Sequence, residues 1–131
     1  MSAPETIHIG AVAERTGLSL RTLRHYDEVG LLRPSARSDG GFRLYTESDV
    51  ERLLLIRRMK PLGFSLEEMA DLLRVADALA SGADGADGDG DQAAAQRERL
   101  GTYVTAAQER RAELARKLDM ADELIRLLRA L

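Results

Sequence analysis

The stretch Thr16–Gly17–Leu18–Ser19–Leu20–Arg21–Thr22–Leu23–Arg24–His25–Tyr26–Asp27–Glu28–Val29–Gly30–Leu31–Leu32–Arg33–Pro34 decides how the rest of the chain is read. It spells a tight turn, a short helix and a stop. Gly17 can take the positive φ of a sharp inter-helix turn. Ser19 is a good N-cap, because its hydroxyl can accept from an orphan N–H of the next turn. Leu20, Leu23 and the ring of Tyr26 recur every third residue and are expected to face inward. Arg21, Thr22, Arg24 and His25 then fall largely on the opposite side. Gly30 ends the helix, and Pro34 prevents its resumption. A short helix that packs by one edge and shows Arg, Thr and His on the other suits the DNA major groove.

Upstream, Ile7 to Arg15 reads as a first helix, with Ile9, Val12 and Ala13 inward. Ala13, Gly17, Leu18 and Leu23 have the spacing of a helix-turn-helix. Downstream, Asp39–Gly40–Gly41 is a hairpin turn signal, followed by Phe42–Arg43–Leu44–Tyr45 with two alternating faces. This predicts a small wing, with Phe42 expected to pack into the core. Gly40 and Gly41 make a turn, not a phosphate cradle.

Thr46–Glu47–Ser48–Asp49 is a capping-box start for a helix carrying Val50, Leu53, Leu54, Ile56 and Met59, closed by Pro61–Leu62–Gly63. Ser65–Leu66–Glu67–Glu68 is a second box, opening a helix with Leu66, Met69, Leu72, Leu73 and Val75 at helical spacing. These Met and Leu stripes are expected to be core. Residues Ser81 to Asp91 are Gly, Asp and Ala, the composition of a flexible, solvated, acidic linker. Its aspartates lack calcium-loop spacing and a closing Glu.

From Gln92 to Leu131 the chain is strong helix material, roughly 60 Å long at 1.5 Å per residue. Leu100, Val104, Ala107, Leu114, Leu118, Ala121, Ile125 and Leu128 alternate at +4 and +3, a heptad seam interrupted by Arg111. One such stripe cannot bury itself. It wants either the same helix of a second copy or the body of the domain, and its length favours the second copy. The expected organisation is therefore a head over 6–79, a linker over 80–91 and a dimerisation helix over 92–131.

Composition bounds the chemistry. The chain has 131 residues and no cysteine, which excludes disulfides, thiolate sensors and Cys-based zinc sites. The N-terminus lacks the pattern of a secretory signal, and no apolar run approaches the roughly 20 residues of a membrane span. A cytoplasmic protein with no metal, no cofactor and no membrane partner is expected. The formal net charge is −3, yet the bases concentrate at Arg21, Arg24, Arg33, Arg37 and Arg43 and again at Arg52, Arg57, Arg58 and Lys60. No nucleophile motif, His pair or phosphate loop points to an enzyme, and His8 and His25 are too isolated to make a site.

Taken together these motifs resemble the MerR-type transcriptional regulators. The resemblance runs from Ile9 to about Leu73. It is carried by Ile9–Gly10, Thr16–Gly17, Thr22–Leu23–Arg24–His25–Tyr26–Asp27, Gly30–Leu31–Leu32–Arg33–Pro34, Gly41–Phe42–Arg43–Leu44–Tyr45, Asp49–Val50 and Leu62–Gly63–Phe64–Ser65–Leu66–Glu67. It implies a mainly α protein: a winged helix-turn-helix head followed by a long helix that pairs antiparallel in a homodimer. It implies pseudo-palindromic promoter DNA as the partner, with an over-long spacer bent and untwisted so that RNA polymerase, reached only through the DNA, engages both elements.

On this reading Ser19 is among the DNA-binding residues at the start of the helix, Arg21, Thr22 and His25 face bases, and Arg24 and Tyr26 contact backbone or base. Arg37, Arg43 and Tyr45 hold the wing on the backbone, and Lys60, with Arg58 beside it, takes a phosphate beyond the wing. His25 stands where the family more often has an aromatic Tyr or Phe, and Phe42 where Tyr is common. The chain is expected to be a short form, with neither a cysteine metal site nor a further effector domain; no effector is named by the sequence. The alternatives are an architectural or excisionase-like DNA-binding protein, or a simple repressor without effector.

Overall fold

A computed structural model describes residues 5–82 and 90–131. In chain order the elements are β1 (Ile7–His8), α1 (Ile9–Thr16), α2 (Leu20–Glu28), β2 (Ala36–Arg37), β3 (Arg43–Tyr45), α3 (Glu47–Met59), a 3-10 turn (Lys60–Leu62), α4 (Leu66–Gly82) and α5 (Gly90–Arg129). Among the described residues the protein is mainly helical, with one three-stranded antiparallel sheet in the order β1-β3-β2. The chain forms two compact units, Met1–Leu73 and Arg74–Leu131.

The turns form where the sequence asks for them. Gly17 lies at φ 72° and its N–H closes onto the Ala13 carbonyl at 2.9 Å. Ser19 accepts from the Thr22 N–H at 3.0 Å and starts α2. Both capping boxes are present: Thr46 Oγ1 accepts from Asp49 N while Asp49 accepts from Thr46 N, and Ser65 and Glu68 exchange the same pair of bonds. The wing hairpin also forms, with Arg37 opposite Arg43 and Ala36 opposite Leu44. Its turn is closed by Gly41 N to the Ser38 carbonyl at 2.8 Å.

The first unit is built on Val12, Leu23, Tyr26, Leu31, Leu32, Tyr45, Val50, Leu53, Ile56 and Met59, all buried. Fully burying an aliphatic side chain of this size contributes roughly 1.5–3 kcal/mol. Asp49 is buried among them and is satisfied on every side. Its Oδ2 accepts from Ser35 Oγ (2.6 Å), Ser35 N (3.2 Å) and Thr46 N (2.9 Å), and its Oδ1 from Arg52 (3.2 Å). One carboxylate thus ties the approach to the wing, the end of β3 and the start of α3. Arg57 of α3 donates to the Thr16 carbonyl at 2.7 Å, satisfying a free C-terminal carbonyl of α1.

Four expectations need correction. Ile7 and His8 are not helical: they pair with Tyr45 and Leu44 of β3. That partner lies far along the chain, so no local pattern reveals it. Leu20 is 39% exposed; a three-residue step falls short of a full turn by about 60°, which carries Leu20 off the Leu23–Tyr26 face. Leu66, likewise the first residue of its helix, is exposed while Met69, Leu73 and Val75 are buried. Phe42 is 68% exposed rather than core. Its ring lies over the wing's own turn, where a Cβ on Gly40 would meet it at 3.0 Å.

The acidic segment read as a linker is narrower in helical terms. Ser81 and Gly82 finish α4, and Gly90 and Asp91 start α5. Its remaining residues, including Asp84, Asp87 and Asp89, lie outside the described ones. Helix α5 has no buried residue, and from Glu113 to Leu131 every residue is exposed.

Candidate nucleic-acid interface

Helix α2 is amphipathic about the Leu23–Tyr26 edge. With that edge in the core, Arg21, Arg24 and His25 are left exposed and Thr22 half-buried. The Ser19 hydroxyl holds Thr22 twice, through its N–H and through Oγ1 at 2.8 Å, so the first turn of the helix is pre-set. Arg21, Thr22, Arg24, His25, Tyr26 and Glu28 line one open concavity of about 600 Å³, and Lys60, the first residue of the 3-10 turn after α3, lines it with them. The structure therefore brings together the residues read from α2 and the distant Lys60. Among the described residues, no side-chain hydrogen bond or ion pair occupies Arg21, Arg24, His25 or Lys60. Three cations stand ready for an outside anion, and the His25 ring lies beside Tyr26 with centroids 6.3 Å apart.

Tyr26 is almost fully buried, and its hydroxyl has no partner among the described residues. Burial pushes its phenol up from the usual value, so it stays protonated and able to donate. Tyr45 is completely buried, its hydroxyl likewise unpartnered. It supports the wing from beneath, as a core residue. Burial first, and the nearby Asp27 charge second, push its phenol up as well.

The two wing arginines are not free. Arg43 Nε and Arg37 Nη2 both donate to Asp27 Oδ2, at 2.7 and 2.8 Å. The Asp27 side chain is only 10% exposed. Burial alone would raise its pKa, but the hydrogen bonds from Arg43 and Arg37 outweigh that and hold the carboxyl below the usual carboxylate range. Arg58 is exposed, with a long contact of 3.4 Å to the Leu54 carbonyl, and does not line the concavity.

Two residues went unread in the sequence. Glu28 lines the concavity, and its signal was present: Arg21, His25 and Glu28 fall at i, i+4 and i+7, one stripe of α2. Asp27 carries no local signal of its pairing, since its two partners Arg37 and Arg43 lie beyond the end of α2, on the wing. Among the described residues no group of His or acidic side chains could hold a metal ion, and no helix is long and apolar enough to cross a membrane.

On α5, Val104, Leu114, Leu118, Ile125 and Leu128 of the seam are 46–64% exposed. Leu100 and Ala107 are part-covered and Ala121 is exposed. A second exposed row, Met120, Leu124 and Leu127, runs beside the seam near the end of the helix, and Leu131, just past it, is exposed too.

Comparison with known proteins agrees with this geometry. The model of the MerR HTH family of regulatory proteins matches residues 7–75. The HTH-type transcriptional activator mta of Bacillus subtilis (strain 168) is 52% identical over 62 residues, which cover 47% of this chain and 24% of that protein. The HTH-type transcriptional regulator ZntR of Escherichia coli (strain K12) is 43% identical over 67 residues, 51% of this chain and 48% of ZntR. The matched stretch thus spans a quarter to a half of these curated relatives. The crystal structure of MtaN, the N-terminus of the Bacillus subtilis multidrug transporter activator, is similar at 34% identity and TM-score 0.57, covering 93% of both chains. HiNmlR, a MerR family regulator lacking the sensor domain and bound to promoter DNA, is similar at 26% identity and TM-score 0.66, covering 92% of this chain and 88% of its own. The chain belongs to the MerR family of helix-turn-helix regulatory proteins.

Proposed function

We propose that this protein is a dimeric, sequence-specific DNA-binding regulator of transcription, cytoplasmic and without enzymatic activity of its own. The observation that carries this reading is the α2 face: Arg21, Thr22, Arg24 and His25 exposed together, with Lys60 lining the same open concavity and no internal partner for the three cations. Arg21, Thr22 and His25 read base edges, where Arg suits the paired acceptors of guanine. Arg24 and Lys60 take phosphates, which fixes register without reading sequence, and Tyr26, buried beneath them, seats the helix. Arg37 and Arg43 place the wing on the flanking backbone, with Tyr45 packed beneath them, and Arg58 adds charge outside the concavity.

The exposed seam of α5 supports pairing of two copies, which would set two heads on a pseudo-palindromic site. Gripping phosphates on both halves lets such a dimer bend and untwist the DNA between them. At an over-long promoter spacer that distortion brings both promoter elements to RNA polymerase. The effector, if the protein responds to one, is not specified by any group in the concavity.

The test is genomic footprinting followed by measurement of the promoter spacer at each protected site. Protected two-fold sites in over-long spacers are expected. Protection confined to spacers of standard length would replace distortion by simple repression, and the absence of any sequence-specific protection would end the reading.

A further inference from the structure

The least expected feature of the head is one carboxylate between two like charges. Arg37 and Arg43 are directly opposed in the β2–β3 register. Like charges so placed destabilise a hairpin. Asp27, on the last turn of α2, removes that repulsion with a single oxygen that accepts from both, at 2.7 and 2.8 Å.

The bonds are economical with the guanidinium forks. Arg43 donates through Nε, leaving both terminal nitrogens unengaged, and Arg37 donates through Nη2, with only a long 3.4 Å contact from Nη1 to the Gly41 carbonyl. The arginines are therefore oriented without being used up. The wing presents two donor sets, while the three-residue cluster carries a net charge of one.

We propose that Asp27 is a positioning and specificity-determining residue: it fixes the wing against the reading helix and withholds one unit of charge from phosphate. This rests on the DNA-binding reading above. Its consequence is a division of labour. A wing free of Asp27 would hold any phosphate backbone at any register. A wing tied to α2 holds the backbone only where α2 is seated on its bases. Asp27 therefore lowers non-specific affinity and raises discrimination.

The experiment uses the full chain and the variant Asp27→Asn, which keeps the shape and removes the charge. Affinity is measured over a salt series on a duplex bearing a footprinted site and on a scrambled duplex of equal length. For Asp27→Asn we expect the log–log salt slope on the scrambled duplex to steepen by about 0.9, the value of one more released counterion. We expect the specific to non-specific ratio to fall roughly tenfold, the size of one charge-assisted contact. Asp27→Glu, which keeps the charge, should return the slope to that of the native chain.

Equal weakening on both duplexes with an unchanged slope would reduce Asp27 to a structural role and overturn the proposal. An unchanged slope and ratio would overturn it too. Should Asp27→Asn not fold in a denaturant titration, Asp27→Glu alone carries the test, with a native slope but a lowered ratio expected and a native ratio contradicting it. If the native chain shows no salt-dependent preference for the footprinted site, it is the DNA-binding reading that fails, and this outcome is separable from the others.

Discussion

The head and the last helix spend their apolar residues in opposite ways. The head buries Val12, Leu23, Tyr45, Val50, Leu53 and Ile56 to between 0 and 1% exposure. Helix α5 leaves Leu114, Leu118, Ile125 and Leu128 about half exposed or more. A unit with its own core can fold by itself. A long helix with an apolar seam and nothing buried needs a partner surface to gain from that seam. A lesion in the head should therefore act on folding and, on the dimeric reading proposed above, a lesion in α5 on assembly.

The largest expected effect comes from breaking the head. Leu53 is wholly buried, so Leu53→Ala should cost about 2–5 kcal/mol of unfolding free energy in a denaturant titration. Next, Leu118→Asp places a charge in the seam and should weaken dimerisation by about 3 kcal/mol, read by sedimentation equilibrium. The same variant should leave the head's unfolding unchanged. A full dimer in Leu118→Asp would remove the contrast between the two regions. Arg24→Ala should cost about 1–3 kcal/mol of DNA affinity without touching either fold or assembly, and equal affinity would remove Arg24 from the interface. Thr46→Ala removes one arm of the α3 capping box and should cost about 1 kcal/mol.

The smallest effect concerns pH. The folded-state pKa of Asp27 lies below its ordinary value. Its stabilisation is therefore complete above the unfolded value, near 4, and is lost as pH falls through the lower folded value. Asp27→Asn should flatten the acid limb of the stability curve below about pH 4, measured by urea titrations at stepped pH. A limb identical to that of the native chain would show that Asp27 contributes nothing to it.

Most of the fold was legible because its signals are local. Gly17, Ser19, the two capping boxes and the Asp39–Gly41 turn each act within a few residues, and each forms as read. The misreadings arise where a long-range partner or a geometric drift decides. Ile7–His8 become a strand only because β3 lies beside them. Leu20 and Leu66 stand at the first position of their helices, where an apolar residue need not share the buried face. The aromatic character of Phe42 suggested core, yet the glycines beside it offer the ring a local seat.

The site was legible in the same proportion. Arg21, Thr22, Arg24 and His25 follow from the period of α2, whereas their meeting with Lys60 follows from the packing of α2 on α1 and of α1 on α3. Asp27 could not be paired from sequence, since its partners Arg37 and Arg43 come together only when the hairpin closes.

The central claim is that two heads, set by α5, grip one duplex. Sedimentation of the protein with a duplex bearing a footprinted two-fold site tests it most directly. The account predicts two native chains per duplex, and for Leu118→Asp a single chain bound far more weakly. One native chain per duplex, with Leu118→Asp binding equally well, would contradict it.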